Sequence, residues 1–511
     1  MNTNKGFALI SVFDKTGVEV LAKALVEAGY KLVSSGGTYD FLRGHKIEVT
    51  PIDQITGNPR DSFDGRMKTI SFAIEGGILY DRTNSNHVAQ AKKLKVPQID
   101  VVVGNLYPFE QKPSIEMIDV GGPTMIRSAA KNFKNVIVLV NPEDYEMVAA
   151  NLKKGIDLKT RQALAAKAFY HLSFYDSQVA NFFNTEVFPG EYTIPLRKIE
   201  ALRYGENPHQ KGALYSTPRN NSPLKTLKKL WGRELSGTNI GDISAGLETV
   251  RLFKEPAAVI IKHNTPCGVA LGENIDQALS RAVDADPVSA FGGVIVLNRK
   301  LTLTTAKVIS GFKSFHQGNI DIVAVPSIEK AAIDFLGGLR KSMGIYVFGV
   351  IPVKRSEKLD PKFFDGVVNL QDFDDKVDKN FKEWKAVTKK KPTKKQLAQM
   401  EFAWKVVKSV KSNSIVVVDK DIPMTRGIGA GQTSRVGSVK IALSQAGAAC
   451  SGGILASDSF FPFSDSIKLA AGKGIGAIVQ QGGSVRDQDS INEANEAEIP
   501  MVLTGRRAFR H

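Results

Sequence analysis

FALISVFDKTGVEVLAKALVEAGYKLVSSGGT, residues 7–38, carries a strand, a helix and a second strand in direct succession. Phe7–Val12 is an apolar run of strand length. Val18–Ala28 follows, with Val18, Leu21, Leu25 and Val26 assigned to one helical face and Gly29 as its stop. Lys31–Ser34 is a second short strand, and Ser35-Gly36-Gly37-Thr38 ends the stretch. Strand, crossover helix and strand in that order predict a parallel, doubly wound α/β sheet. Two more apolar runs, Ile99–Val103 and Val136–Val140, continue the pattern.

Open α/β sheets bind ligands in the loops beyond their strand ends. Ser35–Thr38 offers free amides, hydroxyls and a helix N-terminus, which suit a phosphate; an ordinary tight turn is the plain alternative. Asp14, Lys15 and Thr16 follow the first strand, and Arg66-Met67-Lys68-Thr69 adds two cations. Asn105-Leu106-Tyr107-Pro108-Phe109 follows the run at 99–103, and Asp119-Val120-Gly121-Gly122 precedes a helix ending near Lys131. Several strand-end loops thus bring polar groups to one rim.

Residues 150–186 read as helical, with a stripe of apolar and aromatic residues that suits a core. The segment VFPGEYTIPLRKIEALRYG (187–205) holds two prolines and places a domain boundary there, giving domains 1–199 and 200–511. Beyond it one theme recurs, a buried strand followed or preceded by a polar glycine turn. PAAVIIKHNTPCG (256–268), SAFGGVIVLN (289–298), SNSIVVVDK (412–420), ACSGGILASD (449–458) and GIGAIVQQGG (474–483) all fit, and two similar α/β subdomains are expected. Thr393–Gln396 is a capping-box pattern opening a helix. Lys262-His263 ends the apolar run Ala257–Ile261. An imidazole titrates near neutrality, so a Lys-His pair there suits proton transfer. A strand end reaching solvent is the plain alternative.

A chain of 511 residues exceeds one hydrophobic core. Its net charge of +16 admits two readings, a nucleic-acid binder or an enzyme of anionic small molecules. The second is favoured, because the basic residues are spread out. The densest cluster, TKKKPTKK (388–395), has no interleaved aromatic platforms. Two cysteines, Cys267 and Cys450, with no CxxC or HExxH, predict no disulfide framework and no metal site. The N-terminal segment lacks a signal peptide's apolar core, and no run of about 18 apolar residues occurs, so a cytoplasmic protein is expected.

Motifs in order from Ser11 to His511 carry a resemblance: SVFDKTG (11–17), SSGGT (34–38), GRMKT (65–69), NLYPF (105–109), DVGGPTMIRSAAKN (119–132), LRYGENPHQ (202–210), IKHNTPCGVA (261–270), DPVSAFGG (286–293), GIGAGQTSRV (427–436), SDSFFPFSD (457–465) and TGRRAFRH (504–511). The chain resembles the bifunctional purine-biosynthesis family that joins AICAR transformylase to IMP cyclohydrolase. AICAR is aminoimidazole carboxamide ribotide; IMP is inosinate. The resemblance implies an N-terminal methylglyoxal-synthase-like domain. It implies a C-terminal domain of two cytidine-deaminase-like subdomains without zinc. It also implies a homodimer with neither nucleic acid nor membrane as partner.

The reaction it implies is formyl transfer from 10-formyltetrahydrofolate, the co-substrate, to the 5-amino group of AICAR, then ring closure to IMP. For transfer, His263 matches the family's base, Lys262 a transition-state cation and Asn413 a positioning group. Arg203, Tyr204, Gly292, Asp321, Phe460 and Arg507 match AICAR-binding positions. Arg435, Val436, Asp465, Ser484 and Val485 fall where the family meets folate or its substrate. For ring closure, Asp14, Lys15, Thr16, Ser35, Gly36, Gly37, Thr38, Arg66, Thr69 and Asn105 match substrate contacts. Lys68 and Tyr107 match groups facing the reacting carbonyl, Asp119 one facing the carboxamide, and Lys131 one that transfers a proton.

The departures cluster near the N-terminus. Family members commonly read SVSDKTG, where this chain has Phe13. They read LHPxxHGGIL, where residues 70–79 are ISFAIEGGIL, and histidine where Phe133 stands. Gly237 and Thr238 also replace a more usual pair. Because Lys68, Tyr107, Asp119 and Lys131 remain, two working activities are expected. The alternative is a transformylase whose N-terminal domain only binds a nucleotide.

Overall fold

Alternating strands and helices in the first part of the chain close into one parallel sheet. The computed structural model describes residues 5–59, 62–311, 320–375 and 381–511. Its first unit spans 1–197 and includes 217–219. It contains β1 (Phe7–Val12), α1 (Val18–Glu27), β2 (Lys31–Ser34), α2 (Gly36–Gly44), β3 (Thr50–Pro51), α3 (Asp53–Thr56) and α4 (Phe72–Leu79). It continues with α5 (Ser85–Lys93), β4 (Ile99–Asn105), α6 (Gly121–Lys131), β5 (Ile137–Leu139), α7 (Tyr145–Asn151) and α8 (Leu158–Phe183). The strands run parallel in the order β3-β2-β1-β4-β5. Successive side chains of a strand face opposite ways, so Ile10 packs on the α1 side with Leu21 and Leu25. Leu9 packs with Ile126 and Leu172 of α6 and α8. Val26 departs from the expected helical face and is exposed, whereas Val18, Leu21 and Leu25 are buried. The helical stretch expected over 150–186 is divided: α7 ends before Gly155, and Asp157 caps α8 by accepting the Thr160 N–H at 2.7 Å.

The second unit spans 198–216 and 220–511. β6 (Arg197–Leu202) and β7 (Gly212–Ser216) form a small ribbon. Then come β8 (Lys228–Trp231), α9 (Gly237–Val250), β9 (Ala257–Lys262), β10 (Thr265–Leu271), α10 (Ile275–Ala285) and β11 (Val294–Leu297). α11 (Leu303–Gly311), β12 (Ile322–Val325), α12 (Lys330–Leu339), β13 (Gly344–Val347) and a second ribbon, β14 (Leu359–Phe364) with β15 (Val367–Asp372), follow. The last part holds β16 (Lys385–Ala386), α13 (Lys394–Val407), β17 (Ile415–Val418), β18 (Thr425–Gly429), α14 (Arg435–Ala446) and β19 (Ile454–Ser457). It ends with α15 (Asp465–Gly472), β20 (Ala477–Gln480), α16 (Asp487–Glu496) and β21 (Met501–Leu503).

Two six-stranded sheets result, β10-β9-β11-β12-β13-β8 and β18-β17-β19-β20-β21-β16. They are the same topology twice. Each has an antiparallel hairpin, three parallel strands and an antiparallel edge strand. The helix before each hairpin, α9 or α13, begins with a capping box, Ser236/Asn239 or Thr393/Gln396. The sheets meet edge to edge: Leu271 N–H donates to Pro423 O at 2.9 Å, and Val269 N–H to Thr425 Oγ1 at 3.0 Å. Ala270 and Met424 pair antiparallel between them. With that polarity, the β9–β10 turn, the amino ends of β11–β13 and the carboxyl ends of β19–β21 open on one common edge. Among the described residues no helix is long and apolar enough to cross a membrane.

Candidate active sites

In the first unit the strand order reverses between β1 and β4, the place where open α/β sheets leave a crevice. Asn105, at the end of β4, ties the two strand-end loops together. Its Oδ1 accepts the Phe13 and Asp14 N–H groups at 2.7 and 2.8 Å, and its Nδ2 donates to Asp14 O at 2.9 Å. Thr16 donates its N–H and hydroxyl to Asp14 Oδ1 at 3.0 and 2.7 Å, which holds the Asp14 carboxyl below its ordinary range. Next to this loop lies the N-terminus of α2. Gly36 there has φ +50°, a left-handed conformation that favours glycine. A methyl on Gly36 would stand 3.9 Å from Lys68 Nζ, and one on Gly37 4.0 Å from Lys15 Nζ. Two ammonium groups therefore converge on free amides, and Ser35 makes no capping bond of its own. Thr38 is turned inward instead, donating to Val12 O at 2.9 Å. This is a cradle for a phosphate.

Tyr107 and Asp119 stand beyond the cradle. Burial raises the Asp119 carboxyl, although its Oδ1 accepts the Gly122 N–H at 2.9 Å. Burial also raises the Tyr107 phenol, and the nearby Asp119 charge adds to it. The Tyr175 hydroxyl braces the segment, accepting Asp119 N–H at 2.7 Å and donating to Met117 O at 3.0 Å. Thr69 is buried, and Arg66 pairs in the open with Glu116 at 2.9 Å. Lys131 is not with this group. It ends α6, ten residues and about 15 Å of helix from Gly121. There it lines an open groove of about 620 Å³ with Arg127, Phe133, Gln162 and Phe169.

The departures have structural roles. Ser71 caps α4, accepting the Ile74 N–H at 3.1 Å. Glu75 accepts the Ser128 hydroxyl at 2.5 Å, joining α4 to α6. Phe133 is partly buried against the core that includes Ile126 and Leu172, and it lines the open groove beside Lys131. Phe13 packs on a candidate site residue: its ring meets Tyr107 edge-on, with centroids 5.4 Å apart.

In the second unit, His263 and Asn264 are the two central residues of the β9–β10 turn, with φ +55° and +60°. Such hairpins require left-handed backbone at both positions, which asparagine tolerates better than histidine. Asp242 of α9 fixes the turn by accepting the Asn264 N–H at 2.6 Å. Its burial raises its carboxyl, an effect offset in part by this amide and by His263. Lys262 donates Nζ–H to Phe291 O at 2.8 Å, beside Gly292. Burial pushes the neighbouring Cys267 thiol up to about 12, which leaves it unreactive. Asp321 pairs with Arg233 at 2.9 Å, and Arg203 covers the Tyr204 ring at 4.9 Å.

Asn413, Phe460, Ser484, Val485 and Arg507 lie at the carboxyl ends of β19–β21 or the facing start of β17. Asp465 opens α15, and Val436 is the second residue of α14. The C-terminal segment is strapped over this end, with Ala508 N–H on Asp458 O at 2.8 Å and Ser412 N–H on Arg510 O at 2.9 Å. Arg435 was expected to meet folate, but its guanidinium is buried against Asp458. It donates to Ser457 Oγ at 2.8 Å and Asn413 Oδ1 at 2.7 Å, so it holds Asn413 in place. Three strand spacings, about 14 Å, separate the His263 turn from Asn413 along the common edge. The sequence gives Asp242 and Asp458 no role that a local motif would announce. What it holds is a carboxylate three residues after the capping-box Asn239, and one directly following a buried strand. Among the described residues no group of three His, Cys, Asp or Glu is placed to hold a metal ion.

Comparison with known proteins matches this arrangement to one family. Residues 129–445 match the model of the AICARFT/IMPCHase bienzyme, and residues 17–134 that of the MGS-like domain. The bifunctional purine biosynthesis protein PurH of Oceanobacillus iheyensis is 44% identical over 518 residues, covering 99% of each chain. Those of Clostridium botulinum and Bacillus cereus are 43% identical, again over 99% of each chain. The crystal structure of ForH covers 35% of this chain and 100% of its own, at 35% identity and a TM-score of 0.33. With one family model spanning more than half of the chain and relatives matching its whole length, this protein belongs to the AICARFT/IMPCHase bienzyme family.

Proposed function

We propose that this chain catalyses both formyl transfer to AICAR and ring closure of formyl-AICAR to IMP. Residues 1–199 carry ring closure, and residues 200–511 carry transfer. The observation that carries the reading is the His263 turn, a left-handed histidine at the open end of a buried strand, with Lys262 fixed beside it. The co-substrate is 10-formyltetrahydrofolate. AICAR's 5-amino nitrogen attacks its formyl carbon, and the folate nitrogen leaves. That amine is conjugated with the imidazole and its carboxamide, so it is a weak nucleophile. His263 takes its proton as the bond forms, and the Lys262 cation stabilises the charge that develops on the formyl oxygen. Asn413, held by Arg435, and Arg507 and Phe460 bind from the other part of the same edge. We infer a homodimer acting in the cytoplasm.

For ring closure, the phosphate sits on Lys15, Gly36, Gly37 and Lys68 at the α2 N-terminus. The carboxamide nitrogen attacks the formyl carbon, and water leaves. Asp119 faces the carboxamide, and Tyr107 faces the oxygen that departs, whereas Lys68, matched by resemblance to the reacting carbonyl, stands at the phosphate. Lys131, expected to transfer a proton in this step, stands at the far end of α6, ten residues from Gly121. Ser71 and Glu75 act as a cap and a helix contact, and similarity over the whole length to proteins named bifunctional supports two activities over a silent N-terminal domain.

Product analysis tests the proposal. Purified chain incubated with AICAR and 10-formyltetrahydrofolate is expected to yield IMP and tetrahydrofolate. Accumulated formyl-AICAR without IMP would instead favour a transformylase alone.

A further inference from the structure

Phe13 is tied both to the segment that carries Tyr107 and within its own loop. Its N–H donates to Asn105 Oδ1 at 2.7 Å, and its carbonyl accepts from Lys15 Nζ at 3.3 Å. Its ring meets the Tyr107 ring at an interplanar angle of 67°. Neither ring belongs to the core: Phe13 is 47% exposed and Tyr107 44%. The ring contact is therefore held at the surface, by the two aromatic rings rather than by the core. Phe13 directly precedes Asp14 and Lys15 of the cradle loop and meets Tyr107 with its ring. A tyrosine on a loop otherwise keeps rotamer freedom, and an edge-to-face partner removes it.

We propose that Phe13 is a positioning residue for ring closure, its ring fixing Tyr107 over the crevice between the β1 and β4 loops. The inference rests on Tyr107 acting in that step. Loss of the contact lets the phenol leave its reactive position part of the time, so turnover falls while nucleotide binding through the phosphate persists.

The test uses the full chain and supplied formyl-AICAR. Phe13→Leu keeps the apolar volume and removes the aromatic edge. It is expected to lower kcat roughly three- to tenfold, the range an aromatic pair accounts for. KM should stay within about twofold, as for an interaction made in the transition state. Phe13→Tyr, which keeps the ring, should restore turnover. In a Tyr107→Phe background, Phe13→Leu should cost nothing further. Unchanged turnover in Phe13→Leu overturns the inference, as does an equal loss in the Tyr107→Phe background. If Tyr107→Phe alone cyclises at the normal rate, the role given to Tyr107 fails and the inference falls with it. Formyl transfer and the melting temperature, followed in the same preparations, identify a misfolded variant. Should Phe13→Leu misfold, the result with Phe13→Tyr against Phe13→Met decides between ring and volume.

Discussion

His263 occupies a backbone conformation that costs a histidine energy, and its neighbours hold it there. Lys262 and Thr265 pair across the hairpin, and Asp242 grips the Asn264 amide. Strain maintained in this way fits the role proposed for His263. His263→Ala is expected to abolish formyl transfer and leave cyclisation of supplied formyl-AICAR intact. Lys68→Ala should do the reverse; equal loss of both activities in either variant would refute the assignment. Asp458 carries a different load. It is fully buried against Arg435, with Ser414 N–H at 3.1 Å on its other oxygen. Removing one partner of a buried ion pair leaves the other charge uncompensated. Asp458→Ala should therefore destabilise by about 3–5 kcal/mol in denaturant unfolding. An unchanged midpoint would mean that water already reaches the guanidinium. Lys262 and His263 were legible because an apolar run ends in them. Asp242 and Asp458 were not, since each meets its partner 22 or 23 residues away through strand neighbours that no local pattern specifies.

The repeated theme of buried strand and glycine turn announced two similar subdomains, but not their strand order. Runs of four apolar residues such as Ile415–Val418 say that a strand is buried on both faces, not which strand lies beside it. The order is set where helices close on hairpins, and the two halves solve that contact alike. A methyl on Gly268 of β10 would collide with Ala282 O of α10, and one on Gly427 of β18 with Ala442 O of α14. Both helices run against their strand at backbone distance, which only glycine permits. Gly268→Ala and Gly427→Ala should each cost about 1–3 kcal/mol, the ordinary penalty for overpacking. Calorimetry would show it as a lowered melting temperature. If one variant is neutral, the two halves do not share the packing and the equivalence is only topological.

The two units have separate cores, so no single unfolding transition describes the whole molecule. Acid should act on the first unit through His171. Burial lowers its imidazole from the ordinary 6.5, with Arg197 adding to the effect and Glu110 opposing it. The fold also needs the neutral ring, because Nε2 accepts the Leu106 N–H at 3.4 Å next to Tyr107. The unfolded chain therefore binds a proton that the folded unit resists. Stability from this group is complete above the unfolded value and is lost as pH falls from there through the depressed folded value. Asp119 and Glu75 have the opposite sign, since burial raises both carboxyls and acid relieves the cost of their ionisation. The histidine's contribution starts to be lost as pH falls through its ordinary value of 6.5, which sets the window. The melting temperature of the first unit should fall across that window. His171→Gln keeps an acceptor for the Leu106 amide and removes the titration. Its melting curve should be flat over the same window, whereas a curve as steep as the parent's would exclude His171 as the acid-sensitive group.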